Sequence, residues 1–97
     1  MDLDVFRASL SGEAPPIGDL ALQALWHEAK GDWDAAHELT NRAAGADGSW
    51  VHAYLHRVEG DLSNADYWYR RAERRRPSCS TGEEWDVIAA ELLGRGA

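Results

Sequence analysis

LQALWHEAKGDWDAAHELTNRA (residues 22–43) and VHAYLHRVEGDLSNADYWYRRA (residues 51–72) are two versions of one pattern. Their common Gly-Asp stands at Gly31-Asp32 and again at Gly60-Asp61, 29 residues later. At matching distances lie Ala24 and Ala53, His27 and His56, Trp33 and Leu62, Ala36 and Ala65, and Ala43 and Ala72. Self-similarity at a fixed period is the signature of a repeat architecture. Alanine lets two antiparallel helices approach closely, and glycine between them frees the chain to turn. Asp32 and Asp61 are then placed to accept the orphan N–H groups of a second helix. Each copy therefore reads as helix, tight turn, helix.

The turns Gly-Asp-Trp-Asp-Ala-Ala and Gly-Asp-Leu-Ser-Asn-Ala resemble the turn and second-helix start of a tetratricopeptide repeat. The second copy adds Ala53, the Ala65-x3-Tyr69 pair, Ala72 and Pro77 at that family's spacings. The resemblance covers about residues 18 to 77. It departs from the family in its period, 29 residues against about 34, so that the link Ala44 to Gly48 is shortened. The first-helix positions where the family favours Trp, Leu and an aromatic hold Leu20, Gln23 and His27 in one copy, and Ser49, His52 and His56 in the other.

The flanks supply closing helices. Asp2 caps a helix through about Leu10, with Leu3, Phe6 and Leu10 on one face, and Gly12 to Pro16 breaks it. Ser80-Thr81-Gly82-Glu83-Glu84 holds two overlapping capping-box patterns ahead of a helix whose buried stripe is Trp85, Ile88, Ala89 and Leu92, with Gly94 as its stop. The expectation is an all-α fold in a single domain, residues 1–97. It comprises an N-terminal helix (1–12), two tetratricopeptide-like antiparallel hairpins (18–45 and 49–76) and a capping helix (82–94). Such caps are needed because a lone hairpin leaves an apolar face uncovered.

Composition narrows the function classes. A chain of 97 residues, 44% hydrophobic and 28% charged, with five Trp and three Tyr, is a globular sequence. The net charge of −7 argues against general attraction to nucleic acid or anionic membrane. Cys79 is the only cysteine, so no intrachain disulfide or cysteine zinc site is available, and a cytoplasmic location is expected. Met1-Asp2-Leu3-Asp4 is acidic where a secretory signal is basic, and no apolar run approaches the roughly 18 residues of a membrane span. No nucleophile elbow, phosphate loop or HExxH is present, so binding without catalysis, and without a cofactor, is expected.

Two candidate sites follow. The resemblance implies a peptide-binding surface along the first helices, where the second copy presents Trp50, Tyr54 and Arg57 and the first offers Ala21, Leu25 and Glu28. Burial beneath the capping helix accounts for Trp50 and Tyr54 equally well. Residues 67–76 hold five of the ten basic residues. There Trp68 and Arg71 extend the surface toward an acidic protein partner, while helix-end arginines meeting the macrodipole are the plainer account. A single-stranded nucleic acid is disfavoured by the acidic remainder. The alternative is a small-molecule or metal pocket of His27, His52, His56 and Glu59, since His52 and His56 are one helical turn apart and His27 or His37 can add a ligand from the first hairpin. Against it, His27 and His56 fill slots where the family places aromatics. Two repeats are few for a stable stack, and the remedies are the flanking helices or a homodimer through a Trp-rich face.

Overall fold

Five of the six helices begin on a side chain that accepts a backbone N–H, in a computed structural model that describes residues 1–95. The order is α1 (Leu3–Ala8, continued by a 3-10 turn Ser9–Ser11), α2 (Leu20–Ala29), α3 (Trp33–Arg42), α4 (Gly45–Glu59), α5 (Leu62–Arg71) and α6 (Thr81–Gly94). Among the described residues there is no strand. Asp2, Asp19, Asp32 and Asp61 accept from Val5, Leu22, Ala35 and Asn64 at 2.9 to 3.3 Å. Ser80 and Glu83 close a reciprocal capping box. Each cap satisfies an orphan donor and is worth about 1 kcal/mol.

Both aligned glycines mark a bend. Gly31 and Gly60 have φ of 87° and 89°, the left-handed conformation that glycine adopts without a Cβ penalty. In each turn the glycine N–H and the next aspartate N–H return to the preceding helix, on the carbonyls of Glu28 and His27 and of Arg57 and His56. This is the Schellman arrangement. The third helix end of this kind, after α5, places Glu73 at φ 58° with Arg74 N–H on the Tyr69 carbonyl.

The helices pair as α2 with α3 and α4 with α5, and the two hairpins meet through α3 and α2 against α4. Ala24, Ala36, Ala53 and Ala65 are all fully buried, as close helix approach requires. α6 lies across α4, α2 and α1. Its Trp85 stacks on Phe6 at 5.7 Å and donates from Nε1 to the Leu25 carbonyl at 2.9 Å. The stripe Trp85, Ile88, Ala89 and Leu92 is buried, joined by Leu93 and Glu84.

Three boundaries differ from expectation. The second hairpin starts at Gly45, not residue 49, which leaves only Ala43 and Ala44 between helices. Gly45 reverses the chain with φ 76°, and a Cβ at Gly48 would stand 2.4 Å from the Ala43 carbonyl oxygen, so this glycine-rich link folds as helix packed against the end of α3. Arg74 to Arg76 follow α5 and are not its last turn: Arg74 pairs with Glu91 and Arg76 with Asp66. Gly94 is still helical and Arg95 caps α6. No helix among the described residues is long and apolar enough to cross a membrane.

Candidate functional site

Trp50, Tyr54 and Arg57 project from α4 into the molecule, not onto an open groove. Trp50 and Tyr54 are 4% and 2% exposed. The Arg74 guanidinium sits 3.4 Å from the Trp50 ring centroid. Tyr54 Oη donates to Glu28 Oε1 at 2.7 Å. Arg57 donates to Glu84 Oε1 at 2.8 Å and to the Cys79 carbonyl, and Tyr69 Oη donates to Glu84 Oε2 at 2.5 Å. Burial, then the Tyr54 hydroxyl acting in the opposite sense, leaves the Glu28 carboxyl above its ordinary pKa. Burial and then the bond to Glu84 hold the Tyr69 phenol far above its own. The expected binding face of α4 is therefore an interior network, because α6 and the segment after α5 lie over it. Trp26 and Trp85 are buried as well, while Trp33 and Trp68 are partly buried.

The opposite side of α4 carries histidines. His52 and His56, 4% and 7% exposed, lie one turn apart with ring centroids separated by 4.9 Å. His37 reaches them from α3: its Nε2 is 3.0 Å from His52 Nε2, so one nitrogen carries the hydrogen and the other accepts it. His56 Nδ1 is 2.6 Å from Glu59 Oε1. Two tryptophans wall the cluster. Trp33 stacks on His37 with centroids 4.9 Å apart and fixes itself by donating to the Leu55 carbonyl at 2.8 Å. Trp68 stacks on His52 at 3.9 Å. Burial, followed by the proximity of His37 and His56, lowers the His52 pKa from 6.5 to about 4, so its imidazole is neutral at physiological pH.

His27 does not join this group. Its ring packs edge-on against Trp26 at 5.1 Å, and its role in the turn is to offer its carbonyl to Asp32. The pocket expected from His27, His52, His56 and Glu59 is instead built with His37, which aligns with Asp66 of the other copy. Three imidazoles able to hold a metal ion, each within 4.8 Å of the others, are thus His37, His52 and His56.

Beside the cluster, a cleft of about 370 Å³ opens between the end of α3, the start of α4 and α5, lined by Thr40, Asn41, Ser49, His52, Trp68 and Arg71 among others. The Arg71 guanidinium lies 5.1 Å from the Trp68 centroid and 5.7 Å from that of Tyr67, and donates to Tyr67 Oη at 3.0 Å. Arg7, Arg57, Arg74, Arg76 and Arg95 all pair with carboxylates, whereas Arg71, like Arg42, Arg70 and Arg75, has no carboxylate partner among the described residues, and of these four it alone lies over aromatic rings. Sequence reading picked out Trp68 and Arg71 but not Trp33, Thr40, Asn41 or Ser49 around them. The available signal was divergence between the copies: Gln23 aligns with His52, Leu39 with Trp68 and Leu20 with Ser49. No protein-family model, characterised protein or solved structure matches the chain.

Proposed function

We propose that this chain is a tetratricopeptide-like interaction module that binds an acidic segment of a partner protein in the cleft beside Trp68 and Arg71. The observation that carries this reading is Arg71, a guanidinium held over two aromatic rings at the edge of a cleft and engaged by no carboxylate among the described residues. A stacked guanidinium is already ordered, so less side-chain entropy is lost when it makes parallel hydrogen bonds to a carboxylate. Trp68 offers apolar area beside it, and Thr40, Asn41 and Ser49 offer hydroxyl and amide groups for the peptide backbone. This site keeps Trp68 and Arg71 from the sequence-derived surface and drops Trp50, Tyr54 and Arg57, which the core has taken. A cytoplasmic setting fits the single, unpaired Cys79.

The test is co-purification from the native host, followed by titration of the partner's synthesised acidic segment while Trp fluorescence is read. Arg71→Ala should weaken binding at least tenfold, about 1.4 kcal/mol, with an unchanged circular dichroism spectrum, and raised salt should weaken the wild type. Equal affinity of wild type and Arg71→Ala would remove this site from consideration.

A further inference from the structure

The histidine cluster has the donor geometry of a cation site, independently of the Arg71 guanidinium. His52 and His56 project from successive turns of α4, His37 meets them from α3, and one ligand atom of each lies within 4.8 Å of the other two. Zinc bound to imidazoles at about 2.0–2.1 Å in a tetrahedral array needs nitrogens about 3.3 Å apart. The His37 and His52 Nε2 atoms already stand at 3.0 Å. As a hydrogen-bonded pair they keep one hydrogen between them. A divalent ion takes its place: the ring that carried the hydrogen on Nε2 shifts to the Nδ1–H tautomer by proton exchange with solvent. Both rings stay neutral, no net proton is released, and the two Nε2 lone pairs face the ion.

The surroundings are also those of a metal site. Glu59 Oε1 engages His56 Nδ1 at 2.6 Å, which leaves Nε2 as the free lone pair and makes the ring a better donor, the carboxylate–histidine pairing that orients metal ligands. Trp33 and Trp68 lie flat against His37 and His52 and hold their planes, so little ordering remains to be done on binding. An all-imidazole set with no hard oxygen ring selects zinc and its transition-metal neighbours over calcium or magnesium.

We propose that His37, His52 and His56 bind one divalent transition-metal ion of the zinc class, with Glu59 as the carboxylate that positions His56. The ion joins α3 of the first hairpin to α4 of the second. Three imidazoles leave a further coordination position for water or another ligand. A competing arrangement, His56 with Glu59 and Asp61, holds only one imidazole and two exposed carboxylates, and the experiment separates the two.

The full chain, stripped with chelator, is titrated at neutral pH with cobalt(II), whose visible absorption reports nitrogen ligation, and then with zinc as competitor. The expected result is saturation at one equivalent, displacement by zinc, and a melting temperature that zinc raises and chelator restores. His37→Asn should weaken uptake at least 100-fold and Glu59→Gln by about 10- to 100-fold. Asp61→Asn, which retains an N-cap side chain, should change nothing. Wild type that takes up no stoichiometric cobalt or zinc overturns the proposal, whatever the variants do. So does a folded His37→Asn that binds as wild type does, and so does loss of binding in Asp61→Asn. Circular dichroism shows whether His37→Asn is folded; if it is not, the wild-type titration and Glu59→Gln decide.

Discussion

The two hairpins are alike where the backbone turns and unlike where side chains meet a neighbour. Both bend at a left-handed glycine, both return the next aspartate N–H to a histidine carbonyl, and both bury the same pair of alanines. At the site, however, Gln23 of the first copy becomes His52, Leu39 becomes Trp68, and His37 has Asp66 as its counterpart, a residue paired with Arg76. The cluster therefore cannot exist twice. It forms once, where α3 of one hairpin meets α4 of the other. Repetition supplies the frame, and departures from it supply the chemistry.

The contrast is sharpest at Glu28 and Arg57, equivalent positions with opposite charge. Arg57 is the cationic half of a buried pair with Glu84, whose side chains are 13% and 3% exposed. Arg57→Ala leaves that carboxylate with Tyr69 alone and should destabilise the protein by about 3–5 kcal/mol. Glu28→Gln keeps an acceptor for Tyr54 and should stay within about 1 kcal/mol. Urea denaturation of both variants measures the gap, and equal losses would erase the distinction drawn between the hairpins.

A second difference is titratable. In chelator-treated protein, His52 takes up a proton near pH 6.5 when unfolded but only near 4 when folded. Unfolding between those values therefore binds a proton. Stability is fully present above pH 6.5 and falls as pH drops, by about 3 kcal/mol at pH 4. His52→Gln, which installs the residue of the first hairpin, should flatten that part of the profile. A profile that keeps its slope in the variant would assign the titration to another group.

The smallest effects probe the shared turns. Gly31→Ala and Gly60→Ala should each cost about 1 kcal/mol, since a Cβ there meets no neighbour and only the positive φ resists it. Glu73→Gly, at the one left-handed non-glycine residue among those described, should gain a similar amount. Melting curves of the three variants test this, and unequal costs at Gly31 and Gly60 would show that the turns are not equivalent.

Most of the helical frame was legible in the sequence. Asp2, Asp32, Asp61 and Ser80 announce helix starts, Gly31 and Gly60 announce bends, and the spacing of Trp85, Ile88, Ala89 and Leu92 announces the buried stripe of α6. Residues 45–48 were misread because Gly-Ala-Asp-Gly has the composition of a loop, while in the fold it is the first turn of α4, with Gly48 packed too closely against Ala43 to admit a Cβ. The site was half legible. His52, His56, Glu59, Trp68 and Arg71 stand out by type and spacing, but His37 was one of two histidines that fitted equally well.

What the sequence by itself determined is settled within one turn of helix: the caps at Asp2, Asp32, Asp61 and Ser80, the left-handed Gly31 and Gly60, the i,i+4 histidine pair and the apolar stripe of α6, all short-range consequences of backbone sterics and hydrogen bonding. Only the tertiary structure decided which face of α4 is covered and which histidine crosses from the first hairpin. Those outcomes depend on how α6 lies over the hairpins and on the angle at which α3 meets α4. Such geometry is set by packing between distant residues, and local spacing carries no record of it.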